Sequence, residues 1–258
     1  MGSIDVTHSA ELRREALKEV WAQARTCTRC PQLAATRKTV VFGAGNADAE
    51  LMFVGEAPGA SEDEQGLPFV GRAGKLLSQL LEEIGLSRDE VFIANTLKCR
   101  PPGNRDPQPV EIDNCQEYLL RQVELIEPSV ICTLGNFSTK LLRGDPTGIT
   151  RLHGRPETIV LGSRAARLYP IYHPAAALYT PRMLETLRED FARIPELLAQ
   201  GPPEQPEPPP EQEPLADLAQ EAELTAGTPE AFRGDAAAQR GSQPESQPSP
   251  AEDQLGLF

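Results

Sequence analysis

Leu51-Met-Phe-Val-Gly-Glu-Ala-Pro-Gly59 sets the reading of the whole chain. Four large apolar residues in a row present no polar face, and the run is short, so it predicts a buried strand that ends at Gly55. An irregular, acidic, Gly-rich loop follows. Working outward, Val91-Phe-Ile-Ala94 predicts a second strand ending at Asn95, and Val130-Ile-Cys-Thr-Leu134 a third. Leu168-Tyr-Pro-Ile-Tyr172 predicts a fourth, ending at His173. Between and around them, helices are predicted over residues 9–25, 72–85, 108–127, 136–143 and 181–199. In the first of these Leu12, Ala16, Val20 and Ala24 share a face with Trp21 beside them. The fold class is therefore α/β: a three-layer α/β/α sandwich around a mostly parallel central sheet of about four strands. Such sheets bind ligands beyond the carboxyl ends of their strands. Glu56, Asn95 and His173 each stand directly after a strand, so their side chains are expected to converge.

Composition divides the chain at residue 200. Of its 258 residues, those from Gly201 to Phe258 hold 12 Asp or Glu against only Arg233 and Arg240, and 11 of the 25 prolines. That segment cannot bury enough apolar surface to offset its ordering entropy and is expected to be a disordered, acidic, Pro-rich tail. Removing its share from the formal charge of −13 leaves about −3 on residues 1–200, a single domain folded over roughly 9–198. No apolar stretch reaches the length of a membrane span, and no charged-then-apolar signal pattern opens the chain, so a cytoplasmic protein with no membrane partner is expected. A monomer is expected too.

Five cysteines in that setting argue against a disulfide framework. Cys27-x2-Cys30, Cys99 and Cys115 make a four-thiolate metal set, the first pair placing two sulfurs within reach of one centre. Zinc and an iron–sulfur centre both suit four thiolates. Zinc ribbons usually pair two Cys-x2-Cys units, whereas 15 residues separate Cys99 from Cys115. Cys132 lies inside the third strand and is excluded as a small core hydrophobe.

Gly55–Gly59 is not a phosphate loop, because no Gly-Lys-Ser/Thr follows it. Ser61 and Thr96 have no activating His nearby in sequence. An amide and an imidazole at strand ends suit the reading of a flat polar heterocycle, Asn offering donor and acceptor side by side and a neutral His one N–H. Phe69, in Gly66-Leu-Pro-Phe-Val-Gly71, is placed to stack on such a ring.

In order along the chain stand Cys27-x2-Cys30, Gly55-Glu-Ala-Pro-Gly-Ala-Ser-Glu-Asp63, Gly66-x-Pro68-Phe69-Val70-Gly71, Asn95-x3-Cys99-Arg100-Pro101-Pro102, Cys115 and His173-Pro174. Together they resemble the family-four uracil-DNA glycosylases, iron–sulfur enzymes of bacteria and archaea, over about residues 10–198. The resemblance implies a monofunctional glycosylase that flips uracil out of single- or double-stranded DNA and hydrolyses its N-glycosidic bond, starting base excision repair. It implies that Asn95 reads the uracil edge, that Phe69 stacks on the flipped base, and that His173 donates to the oxygen gaining charge. Glu56 would orient water or stabilise the cationic sugar. Ala57 stands where the cluster-free family has an Asp, and Gly59 where that family excludes thymine with a Tyr, so Glu62 is the candidate thymine gate. The four cysteines would hold a [4Fe–4S] cluster with a structural role, tying the N-terminal helix to the loop that begins at Asn95.

DNA contact is expected from Arg72, Lys75, Arg100 and Arg105 rather than from a broad positive face. Leu178, in the loop after His173, is the expected minor-groove wedge. The last residues, Asp253-Gln-Leu-Gly-Leu-Phe258, resemble the peptide by which bacterial repair proteins dock on the sliding clamp, with Gln254, Leu255, Leu257 and Phe258 making the contact. Two other classes stay open at this point: a glycosylase for hypoxanthine, xanthine or thymine mismatches, and a non-catalytic, metal-stabilised adaptor for nucleic acid or clamp.

Overall fold

The computed structural model describes residues 6–207. Six strands form one sheet in the order β1-β3-β2-β4-β6-β5. They are β1 (Ala44–Gly45), β2 (Leu51–Gly55), β3 (Phe92–Asn95), β4 (Val130–Leu134), β5 (Glu157–Leu161) and β6 (Arg164–Ile171). The central four, β3-β2-β4-β6, are parallel. These are the four strands expected, but the count of four is corrected to six, because antiparallel β1 and β5 close the two edges. Two-residue β1 is too short to show a period. The Thr158-Ile-Val-Leu161 run of β5 carried a strand signal, with Gly162-Ser163 after it as a two-residue hairpin turn, Gly162 at φ 60°. That hairpin also starts β6 four residues earlier than expected.

Each parallel strand is buried on both sides, and its residues alternate between two cores. Met52 and Val54 face a cluster with Leu17, Val20, Trp21 and Ala24 of α1 (Val6–Arg25), Leu33 of α2 (Pro31–Thr36) and Leu119 and Val123 of α5 (Pro109–Ile126). Leu51 and Phe53 face the other, with Leu77 and Leu80 of α4 (Arg72–Glu83) and Leu187 and Phe191 of α9 (Pro181–Ala192). This is the three-layer sandwich. Leu12 was expected on the buried face of α1 but is 58% exposed; Leu17 takes its place. The acidic loop after β2 contains α3 (Ala60–Gln65), held by Asp63, whose carboxylate accepts from the Lys38 amide at 2.9 Å. The final helix is two: α9, then α10 (Ile194–Ala199). Pro195 has no N–H for the Phe191 carbonyl, which breaks the ladder there. The chain crosses from one side of β2 to the other between β3 and β4, so the crevice of the switch point opens beyond Gly55 and Leu134.

Candidate active site beyond the strand ends

A cavity of about 510 Å³ lies beyond the carboxyl ends of β2, β3 and β6. Glu56, Ala57, Glu62, Phe69, Asn95 and His173 all line it, together with Pro101, Asn104 and Arg105. Residues more than a hundred positions apart in sequence therefore share one wall.

Asn95 pairs with Gly55 in the parallel ladder and is buried. The backbone beside it is stapled to Glu56: the Thr96 amide donates to the Gly55 carbonyl at 3.0 Å and the Leu97 amide to the Glu56 carbonyl at 3.0 Å. Glu56 itself is half-buried, and burial, with Asp106 nearby, raises its carboxyl above the ordinary value. His173 caps α8 (Pro174–Ala177), and its Nδ1 accepts from the Ala175 amide at 3.1 Å. An Nδ1 that accepts cannot carry the proton, so the neutral ring bears it on Nε2. Burial lowers His173 to about 4, Glu62 opposing only in part, so the ring is uncharged at neutral pH. The Phe69 ring stacks against His173 with centroids 5.6 Å apart. Glu62 turns one carboxylate oxygen to the Val70 and Gly71 amides, at 3.0 and 2.9 Å.

Cys27, Cys30, Cys99 and Cys115 line a separate small cavity with Arg37, Lys98, Asn114 and Tyr118. All four thiols are free. Donors point at their sulfurs: Arg37 to Cys99 at 3.2 Å, the Lys98 amide to Cys115 at 3.3 Å, and Asn114 Nδ2 to Cys30 at 3.7 Å. Burial pushes Cys99 up to about 11 and also raises Cys115 and Cys30. Burial raises Cys27 as well, but hydrogen bonds with Tyr118 and Arg29 outweigh it and leave that thiol lowered. The donor set suits an anionic, sulfur-ligated group, whose bound charge the N–H groups and the Arg37 cation would offset. Among the described residues no three of His, Cys, Asp and Glu close on a single metal ion. Cys132 lies apart, fully buried in β4, its thiol raised by burial.

The family model described as the Uracil DNA glycosylase superfamily matches residues 42–198. The chain belongs to this superfamily. It is 44% identical over 193 residues to the type-4 uracil-DNA glycosylase of Archaeoglobus fulgidus, covering 73% of this chain and 96% of the relative. It is 48% identical over 185 residues to that of Saccharolobus solfataricus, 70% and 85% of the two chains. A bacterial relative, the type-4 uracil-DNA glycosylase of Thermotoga maritima, is 43% identical over 167 residues, 64% and 85% of the two chains.

Of the remaining expected residues of this glycosylase-superfamily domain, only Arg105 lines the cavity beyond the strand ends. Leu178 is half-buried, while its neighbour Tyr179 is 79% exposed, with the Arg72 guanidinium 5.9 Å from its ring. Arg105 grips buried Glu111 with two hydrogen bonds, of 2.6 and 2.9 Å. Arg100 donates to Asn104 at 2.7 Å. Lys75, exposed on α4, lines a second cavity. Gln254, Leu255, Leu257 and Phe258 lie outside the described residues, as does nearly all of the acidic tail. The sequence reading missed Asn104, a cavity-lining residue at φ 54°; the Pro-Gly-Asn of residues 102–104 was the available signal. It also missed Lys98. That ammonium is 1% exposed and donates to the Asn95 carbonyl at 2.9 Å and to Gln122 at 2.5 Å. Nothing in the local sequence marks it as buried.

Proposed function

We propose that this chain everts uracil from DNA into the 510 Å³ cavity and excises it by hydrolysis of the N-glycosidic bond. The observation that carries the reading is the meeting of Glu56, Phe69, Asn95 and His173 on one cavity wall. In the reaction the C1′–N1 electron pair leaves with the base. Water supplies the hydroxyl at C1′ and one proton, giving uracil and an abasic deoxyribose. Asn95, rigid at a strand end, presents an amide to the edge that distinguishes uracil from cytosine. Phe69 stacks on the ring and returns roughly 1–3 kcal/mol of the cost of flipping. His173, neutral and protonated on Nε2, donates to the uracil oxygen as negative charge builds, in a site where such donors act more strongly than in water. Glu56 orients water or stabilises the sugar cation, Ala57 leaves space beside it, and Glu62 limits access for the thymine methyl. Leu178 enters the minor groove.

Cys27, Cys30, Cys99 and Cys115 would hold a [4Fe–4S] cluster. The four thiols line one small cavity, and the 15 residues between Cys99 and Cys115 depart from the two Cys-x2-Cys units usual in zinc ribbons, which favours an iron–sulfur centre. Bound there, the centre would supply a covalent tie between α1, the Asn95 loop and α5. The C-terminal Gln254-Leu-Gly-Leu-Phe258 would dock on a sliding clamp, the acidic segment before it serving as an extended leash. The enzyme would act as a monomer.

The test is alkali cleavage of uracil-containing single- and double-stranded oligonucleotides after incubation with wild type and His173→Ala. A single-turnover rate lower by roughly 10²–10³ is expected for the variant, the usual worth of one such donor. An unchanged rate removes His173 from the mechanism. Deleting residues 254–258 should abolish clamp binding and leave turnover on short oligonucleotides intact; retained clamp binding sinks that part.

A further inference from the structure

Two side chains of opposite charge hold the peptide that carries Phe69, one from each end. Glu62 of α3 accepts from the Val70 and Gly71 amides at 3.0 and 2.9 Å. Arg88, in the single helical turn Arg88–Glu90 just before β3, donates to the Pro68 carbonyl at 2.8 Å and the Phe69 carbonyl at 3.2 Å. Four consecutive residues, 68 to 71, are thereby fixed through their backbone. Between the two grips Phe69 sits at φ 53°, a left-handed conformation that a bulky residue rarely adopts and keeps only when its surroundings over-determine it. The surroundings are close. A methyl on Gly74 would stand 1.6 Å from the Phe69 carbonyl oxygen, and one on Gly55 would stand 2.7 Å from the ring.

Arg88 belongs to none of the motifs that border the cavity, and it does not line that cavity. It is half-buried, and desolvation lowers its pKa. A partly desolvated guanidinium spent on two main-chain carbonyls is an expensive way to hold a loop. What it secures is the direction of one ring.

We propose that Arg88 and Glu62 are positioning residues that keep Phe69 as a ready-made stacking face for the everted base, so that the platform stands before DNA arrives. The assignment rests on the stacking role given to Phe69 above and adds to it the residues that hold the ring. Binding then spends nothing on ordering the loop, which is the general gain from preorganisation.

The test uses full-length Arg88→Met, Arg88→Lys and Phe69→Ala, with the Arg88→Met/Phe69→Ala double variant. Inhibition by free uracil reads the platform, and amide exchange at Val70 and Gly71 reads the grip without reference to any base. Arg88→Met should weaken uracil inhibition by no more than Phe69→Ala does, within the roughly 5- to 150-fold worth of stacking one base. Arg88→Lys, which keeps a donor, should recover part of the loss. In the Phe69→Ala background, adding Arg88→Met should change inhibition by less than about twofold. Exchange at Val70 and Gly71 should quicken by about tenfold in Arg88→Met. Equal losses in both backgrounds overturn the proposal. So does an unchanged uracil inhibition with DNA affinity alone reduced and its salt dependence flattened, which would make Arg88 a phosphate contact. If Phe69→Ala itself leaves inhibition unchanged, the stacking role fails and the proposal with it; faster exchange in Arg88→Met then marks the failure as the platform's and not the grip's. Should Arg88→Met not fold, Glu62→Ala runs the same cycle from the opposite side.

Discussion

Gly55 of β2 pairs with Asn95 of β3, and a methyl group on Gly55 would stand only 2.4 Å from Asn95 Oδ1. The same methyl would meet the Phe69 ring at 2.7 Å. The glycine at this strand end is therefore a clearance that lets the Asn95 amide and the Phe69 ring approach each other. Gly55→Ala should leave the sheet folded, since the obstructing atoms belong to side chains, while displacing both groups. Uracil excision should fall by about 10²-fold, the typical cost of a misplacement of about 1 Å. Single-turnover rates alongside the melting temperature check this, and a near-normal rate would contradict it.

If His173 acts as proposed, its neutrality sets the pH profile of the reaction. Its folded value of about 4 lies below the ordinary 6.5, so the rate should show no break near 6.5 as pH falls from about 8 to about 5. The stability consequence has the opposite look. Between those two values the unfolded chain binds the extra proton, so this group's contribution is full above about 6.5 and is lost as pH falls towards about 4. Glu56 runs the other way. Its raised carboxyl stabilises at low pH, an effect lost as pH rises through its folded value. Urea midpoints of wild type and His173→Asn at about pH 7 and pH 5 isolate the histidine part: the variant should lose less stability on acidification.

Cysteine substitutions should separate the four cavity-lining thiols from the fifth. Cys99→Ser should lower bound iron, bleach the visible absorbance and reduce the melting temperature. Cys132→Ala, a small cavity change in β4, should keep full iron content. Colourless wild-type protein carrying zinc would refute the cluster.

Lys98 links the four-cysteine cavity to Asn95, the residue proposed to read the base. Its amide donates to Cys115, and its ammonium to the carbonyl of Asn95 and the side chain of Gln122. Lys98→Met leaves two buried acceptors unpaired and should cost roughly 2–6 kcal/mol, at about 1–3 kcal/mol for each buried group left unsatisfied. Denaturant unfolding gives the stability term, and free-uracil inhibition should weaken as Asn95 loses its support. Unaltered inhibition in a folded variant would confine Lys98 to stability.

The apolar run of β2, the nearly apolar runs of β3 and β4, and the mixed run of β6 made the parallel core legible, because a strand buried on both faces has few polar positions. The residue after each such strand was equally legible, since sheets of this kind place it at the crevice. Edge strands were another matter. Two-residue β1 carries no pattern, and half-exposed β5 carries one that competes with loop composition. Leu12 was misjudged because a helix face turns inward only where an apolar partner covers it, and α1 joins the apolar core from Leu17 onward, while one turn earlier Arg13 makes polar contacts to the Leu125 carbonyl and Asp48.

Chain chemistry alone decided the α/β class and singled out the four thiols and the trio of Glu56, Asn95 and His173 as candidates, since each depends on residue type and near neighbours in the chain. Folding decided everything that depends on depth and on distant partners. The uncharged state of His173 comes from burial, the tautomer from the Ala175 amide, and the set of Phe69 from Glu62 and Arg88. Those are desolvation and short-range hydrogen bonds between segments far apart in the chain, and no linear pattern encodes how close such segments come.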